Sequence, residues 1–348
     1  MRLGISERLI KKYYRKNVPV MVHWEVTYGC NLSCIHCYTR NEIANGLSLP
    51  QLEKIALQMK EAGTLYIVIT GGEPFYRSDI LEIIRMMRKN FFVIILSNAT
   101  FIDSYHAKKL KELNVWRIEV TLFSMDEGIH DSITGVKGSH KRTMIGVNIL
   151  KEEGINVTLK MPLLKQNDSE YSAIVKFAED SKFGFIASPM IIPRLDGSKD
   201  TYQYSVDENQ INNSRSQWLP QMKEYIASSH GMSLVKNEKF SCYAGNIFCS
   251  ITADGFLKPC PVIPIKLGSL LEFDFKELWE KKPNLMLQKM RKASFSDFNE
   301  CVTCECSSWC TPCFGINALD NGDPFSPSDT HCEMKKEMAK SSKVNCQK

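Results

Sequence analysis

Three cysteines, Cys30, Cys34 and Cys37, stand at C-x3-C-x2-C spacing inside Tyr28-Gly29-Cys30-Asn31-Leu32-Ser33-Cys34-Ile35-His36-Cys37-Tyr38. An alternating apolar run, Met21 to Val26, leads directly into them. A loop this short can turn all three sulfurs inward. Three thiolates suit an iron–sulfur cluster, which takes four when it is closed, so one iron is left to an outside ligand. The rival reading is zinc. Zinc sites usually pair one C-x2-C with a second pair and rarely show C-x3-C-x2-C after a strand.

The chain that follows reads as repeated strand-then-helix units. The expected strands are His23–Tyr28, Leu65–Thr70, Phe92–Ser97, Trp116–Phe123, Asn156–Met161 and Phe183–Ile191. The expected helices are Leu47–Ala62, Ser78–Arg88, Asp103–Leu113, His140–Glu153 and Asp168–Ser181. Ser48 and Asp103 are the right residue types to cap two of them, Pro50 sits in a first turn, and Gly154 stops another. Six such units imply an α/β chain whose parallel sheet curls into a partial (β/α)6 TIM-type barrel.

The strands alternate in a telling way. His23, Glu25 and Thr27 share one face of the first; Arg117, Glu119 and Thr121 of the fourth; Asn156, Thr158 and Lys160 of the fifth. Helices cover the outside of such a barrel, so the outer face must be apolar and the polar face points inward. Two readings stay open: an open lumen holding a polar ligand, or ions paired with one another at the base.

By composition, residues 1–19 are an N-terminal basic helical segment, with Lys11, Lys12, Arg15 and Lys16 on a solvated face; 20–195 are the barrel and 196–240 a linker with a connecting helix over Trp218–Ser228. Residues 241–335 form a second, small cysteine-rich domain, and 336–348 a tail. Nine of the thirteen cysteines lie between Cys242 and Cys332, the shift that marks this domain. That many thiols without a signal peptide argue for the cytoplasm, where they stay reduced and bind metal. No apolar run approaches the ~20 residues that span a bilayer. The net charge of +5 is mild: it allows an acidic peptide partner and falls short of a nucleic-acid domain.

Thr70-Gly71-Gly72-Glu73-Pro74 follows the second strand, at the end of the sheet where ligands of parallel sheets bind. Glycines permit close backbone approach, and a carboxylate beside them can pair with an ammonium. One strand after a C-x3-C-x2-C loop, this stretch resembles the GGEP motif of the radical SAM superfamily. The resemblance implies a 4Fe–4S cluster on Cys30, Cys34 and Cys37 whose open iron is chelated by S-adenosylmethionine (SAM), which is cleaved to a 5′-deoxyadenosyl radical. It implies SAM contacts from Gly71, Gly72, Glu73 and Pro74, from Ser97, Asn98 and Ser124 at strand ends, and from Arg142. His36, before the third cysteine, would pack near the adenine.

The C-terminal cysteines resemble the SPASM domain, which carries auxiliary 4Fe–4S clusters. Cys242, then Gly255 with four residues between it and Cys260, then Cys301-x2-Cys304-x5-Cys310, Cys313 and Cys332 match its frame, except that two residues rather than three separate Cys310 from Cys313. Interleaved ligation as in that family implies one cluster on Cys242, Cys249, Cys260 and Cys313, and a second on Cys301, Cys304, Cys310 and Cys332. Zinc knuckles are the alternative for the C-x2-C pairs. Cys306 lies outside the frame and is an alternative ligand, a packing residue or a hydrogen-atom donor; Cys346 is an exposed thiol near the end.

The resemblance implies a peptide substrate, modified by thioether or carbon–carbon crosslinking or by epimerisation, with flavodoxin or ferredoxin as electron donor. Pro261 after Cys260 departs from the Asp of sulfatase-maturing members and disfavours that activity. About twenty residues precede the first strand, so any leader peptide is expected to be bound by the barrel, the SPASM domain or a separate partner. The alternatives are a small-molecule substrate such as a haem precursor, and a non-enzymatic iron–sulfur or zinc scaffold. Neither nucleic acid nor membrane is expected as a partner.

Overall fold

The structure is a computed structural model that describes residues 7–40, 42–44, 46–207, 209–210, 242–306 and 310–341. Cys346 and the expected helix over Trp218–Ser228 lie outside the described residues. Helix α1 (Glu7–Arg15) precedes strand β1 (Met21–Thr27). Then come α2 (Leu49–Glu61), β2 (Tyr66–Gly71), α3 (Ile80–Arg88), β3 (Phe92–Ser97), α4 (Ser104–Glu112) and β4 (Arg117–Thr121). Two helices follow, α5 (Glu127–Thr134) and α6 (Ser139–Glu152), then β5 (Val157–Pro162), α7 (Tyr171–Asp180) and β6 (Gly184–Ser188). Strands β1 to β6 are parallel and neighbour one another in chain order, the open (β/α)6 arrangement expected from the alternation. α5 is an addition; Asp126 caps it, accepting from the Ile129 N–H at 2.9 Å, and Gly135 ends it in the left-handed region.

The sheet does not stop at β1. β7 (Phe248–Ile251) pairs parallel with the other edge of β1, Met21 opposite Phe248. β8 (Phe256–Lys258) and β9 (Gly268–Ser269) continue antiparallel. One nine-stranded sheet, ordered β6-β5-β4-β3-β2-β1-β7-β8-β9, therefore carries both the barrel and the start of the cysteine-rich part.

The outer strand faces, Val22, Trp24 and Val26 on β1 for example, form with the helices the main apolar core, which also holds Leu52, Ile55 and Met59 of α2. The lumen is plugged at its base. Ile10 of α1 packs with Met21, Tyr66, Val68 and Ile94, while Lys12 and Arg15 face solvent. Above the plug, Glu119 accepts from Arg117 at 2.7 Å and sits 3.4 Å from the Lys160 ammonium. The paired-ion reading is realised on β4 and β5, which pair their ions with each other, whereas Glu25 on β1 does not share in that triad. Glu25 is fully buried, accepts from the Tyr28 hydroxyl at 2.7 Å and, among the described residues, has no hydrogen-bond partner at its other oxygen.

The cysteine-rich part has its own small core. The rings of Phe298, Phe314 and Phe325 lie 5.2–5.7 Å apart, with Ile263 and Met290 around them and Cys242, Cys260 and Cys301 packed on the outside.

Candidate active site

The cysteine loop leaves β1 at the carboxyl end of the sheet and is held by backbone contacts. The N–H groups of Ser33 and Ile35 donate to Thr134 and Ile133 at the end of α5, at 2.9 and 3.0 Å. Arg194, 5% exposed, donates to the carbonyls of Cys37 (2.6 Å) and Ile35 (3.3 Å) while Asp200 grips the same guanidinium. Arg194 is a functional residue that the sequence does not announce, because its partners are carbonyls more than 150 positions away.

Cys30, Cys34 and Cys37 line one cleft of about 440 Å³ together with His36, Gly71, Gly72, Glu73, Ser97 and Asn98. The three thiols interact: burial pushes Cys30 up to about 11, with Glu73 and Cys37 adding to it, and pushes Cys34 higher, with Cys37 and Cys30 adding. Such a set ionises only against a cation, and a coordinating metal deprotonates a thiol outright. Among the described residues no three His, Cys, Asp or Glu side chains converge tightly enough for a single metal ion. Three thiols on one cleft are the donor type that an iron–sulfur cluster takes, so the residues present fit it.

Glu73 is the most constrained side chain in the cleft. Its carboxylate accepts from Phe75 N–H (3.0 Å), Ser97 Oγ (2.8 Å) and Asn98 N–H (2.7 Å), and burial pushes it up to about 7 against those three donors. The same network ties Asn98 to Asn31 of the cysteine loop, Nδ2 to Oδ1 at 3.0 Å. Pro74 is buried in the first position of the short 3-10 turn Pro74–Tyr76 and does not line the cleft.

The two glycines line the cleft and also serve the fold. Gly71 has φ +126°, and a Cβ there would lie 2.0 Å from the Thr27 carbonyl; at Gly72 it would lie 2.3 Å from that of Gly29. They let the loop lie against the end of β1, where Gly72 and Glu73 N–H groups donate to Thr27 (2.8 Å) and Gly29 (2.9 Å). Gly71→Ala is expected to lower the thermal midpoint by several degrees, since backbone strain alone costs about 1–3 kcal/mol. Gly197→Ala, with φ +87° and nothing within 4 Å of the added carbon, is the control by differential scanning calorimetry and should cost less.

Other expected contacts fall elsewhere. Ser124 is fully buried and gives its hydroxyl to Glu170 Oε2 at 2.6 Å, and Arg142 is exposed on α6; neither lines the cleft. His36 does, its ring edge-on to Phe123 with centroids 5.2 Å apart, and burial pushes it down to about 4. His130 also lines the cleft, with burial and then His140 holding it near 4; its place on α5 hides it from a reading that lacks that helix.

The C-terminal thiols gather in two places. Cys301, Cys304, Cys306, Cys310 and Cys332 line one cavity, so the residue outside the family frame joins the four within it. Cys242, Cys260 and Cys313 form the other group: burial raises each, and Cys313 adds to both Cys242 and Cys260. The structure does not bring Cys249 to them. It is fully buried in the main core, where burial raises it and Arg291 is the charge that it feels. For Cys306, a ligand role predicts that Cys306→Ala lowers iron per chain. A hydrogen-donor role predicts intact clusters and continued SAM cleavage without product; full iron and full product leave it a packing residue.

The sequence model of the Radical SAM superfamily matches residues 24–178, and that of SPASM, an iron–sulfur cluster-binding domain, matches residues 242–306. The AdoMet-dependent heme synthase of Methanosarcina barkeri is 24% identical over 338 residues, 88% of this chain and 94% of that protein. The antilisterial bacteriocin subtilosin biosynthesis protein AlbA of Bacillus subtilis is 26% identical over 313 residues, 86% of this chain and 69% of that one. The crystal structure of Streptococcus suis SuiB bound to precursor peptide SuiA superposes with a TM-score of 0.69 at 18% identity, covering 93% of this chain and 79% of that one. With its cysteine loop, its Gly-Gly-Glu-Pro turn and its cysteine-rich extension in these places, the chain is a radical SAM superfamily enzyme with a C-terminal SPASM domain.

Proposed function

We propose that this enzyme abstracts hydrogen from a peptide, in the maturation of a ribosomally synthesised product by thioether or carbon–carbon crosslinking or by epimerisation. The observation that carries the reading is the charge of a second cavity. About 500 Å³ in volume, it is lined by Ile191, Val206, Ile316 and Met334 with Tyr202, Ser205, Thr330 and His331. Its charged lining residues, among those described, are the carboxylates Glu333 and Glu337. Ile191 also packs with Phe123 and Cys34, beside the cysteine loop. A haem precursor brings several carboxylates, which such a wall repels; a peptide brings N–H groups and mixed side chains, which it accommodates. The resemblance in fold to SuiB and in sequence to AlbA supports the same reading.

SAM and iron–sulfur clusters supply the radical chemistry when bound. The chain's own work is positional. Cys30, Cys34 and Cys37 hold the SAM-binding cluster, Glu73 and its glycine turn receive the amino end of SAM, and Arg194 with Asp200 fixes the loop. The SPASM thiols hold two auxiliary clusters in this proposal. Flavodoxin or ferredoxin supplies electrons, a separate protein can present the leader, and the cytoplasm is where reduced thiols persist. Among the described residues no helix is long and apolar enough to cross a membrane.

The second reading, a haem-precursor substrate, is favoured by the 94% coverage of the heme synthase. One anaerobic experiment separates them: incubation with SAM, reductant and either a candidate peptide or a haem precursor, read by mass. Loss of two hydrogens from the peptide indicates a crosslink or oxidation, and deuterium uptake from solvent without net loss indicates epimerisation. An unchanged peptide beside a modified haem precursor overturns the proposal.

A further inference from the structure

Arg194 reaches the cysteine loop because the segment after β6 folds back on itself. The Arg194 N–H donates to the Ser198 carbonyl and the Leu195 N–H to that of Tyr38, both at 2.9 Å. Thr201 gives its hydroxyl to the Ile192 carbonyl at 2.8 Å. The segment is also pinned to the cysteine-rich part. There Asp320, in the helix Phe314–Asn321, accepts from the Tyr202 hydroxyl at 2.9 Å and lies 3.7 Å from the Lys199 ammonium. A guanidinium on a segment so anchored keeps one place.

That place is electrically lopsided. An arginine is charged at every pH a protein meets. The Arg194 side chain is buried against the carbonyls of Cys37 and Ile35, whereas the Asp200 carboxylate that closes on it is 47% exposed. Water and salt screen the exposed partner more than the buried one. Arg40, a cation that lines the cleft itself, is exposed and screened in the same way. Burial and then the Arg194 charge hold His36, which lines the cleft, below its ordinary value, so that charge is felt inside it. A cluster on Cys30, Cys34 and Cys37 gains one more negative charge when it takes an electron, and nearby charge and hydrogen bonding set how readily it does so. We infer that the buried charge of Arg194 raises the reduction potential of the SAM-binding cluster and that Asp200 offsets part of it, so that the pair sets how readily the cluster takes its electron. The inference rests on the proposed cluster of those three thiols and not on the peptide reading.

A clasp that only held the loop would loosen it whichever side was broken, and both variants would move the cluster in one direction. A charge effect has opposite signs on the two partners. The test measures the midpoint potential of the electron paramagnetic resonance signal that SAM alters, in the full-length protein reconstituted anaerobically. Arg194→Met keeps the bulk and removes the charge. Its reduced-to-oxidised ratio at a fixed potential is expected to fall about tenfold, which is about 59 mV for one electron. Asp200→Asn keeps the shape and removes the opposing charge, and its midpoint is expected to rise. Midpoints that move the same way in the two variants, or that stay at the value of the unsubstituted protein, overturn the inference. If Arg194→Met does not fold, Asp200→Asn decides alone: a rise supports the inference, and a fall or no change overturns it. An unsubstituted protein without a SAM-sensitive signal overturns the cluster assignment, and the inference with it.

Discussion

Replacing Cys30, Cys34 and Cys37 together by Ala abolishes 5′-deoxyadenosine formation, while the auxiliary clusters survive. The expectation follows from the geometry of one loop. All three thiols line the same cleft, and burial raises the proton affinity of Cys30 and Cys34, to which neighbouring thiols add, so the set ionises against a shared cation. The loop itself should persist in the variant, because α5 carbonyls and Arg194 hold it through its backbone and not its sulfurs. Iron per chain is expected to fall by about four, no more, which separates loss of one cluster from unfolding. Undiminished 5′-deoxyadenosine, measured by chromatography after anaerobic reduction with SAM, would contradict the assignment.

Glu73→Gln weakens SAM binding by roughly tenfold to a hundredfold, the 1.5–3 kcal/mol that a charge-assisted hydrogen bond contributes. Iron content should stay at the level of the unsubstituted protein. The pH dependence carries a sign. Burial raises the carboxyl to about 7, so it is neutral below that pH and ionised above it. A group with a raised folded value contributes stability at low pH that is lost as pH rises through the folded value. SAM affinity runs the other way: it tightens as pH rises through about 7, because only the carboxylate pairs with an ammonium. Isothermal titration across pH 6 to 8 should show this slope in the parent protein and a flat line in Glu73→Gln; equal slopes would sink the role.

What the sequence made legible was whatever depends on neighbours along the chain. β3 runs over the expected Phe92–Ser97, and Asp103 caps α4, accepting from the His106 N–H at 2.8 Å. The cysteine loop and the Gly-Gly-Glu-Pro turn lie side by side as their positions after β1 and β2 require. The rest turns on long-range geometry. Arg194 clasps carbonyls, which carry no residue code. Ser124 was expected at a strand end but lies three residues beyond β4, where a carboxylate on a later turn claims its hydroxyl. α5 is short and holds Gly128, although the Asp126 cap signal was there to be read. For Cys249 the alternation Phe248-Cys249-Ser250-Ile251 already separates it from Ser250, but only the pairing with β1 shows which face is the core.

The pairing of β7 with β1 joins chain segments that lie far apart, and this bears on how the enzyme is made. A ribosome releases β1 and its cysteine loop long before Phe248–Ile251 exist, so the barrel waits with the outer edge of β1 unpaired. Non-local pairing of this kind slows folding, and an unsatisfied edge invites pairing with another chain. The segment that completes the sheet also begins the part whose small aromatic core is packed round cysteines. A chain cut before Phe248 leaves that edge open for good, and it is expected to collect as aggregate rather than as a soluble barrel.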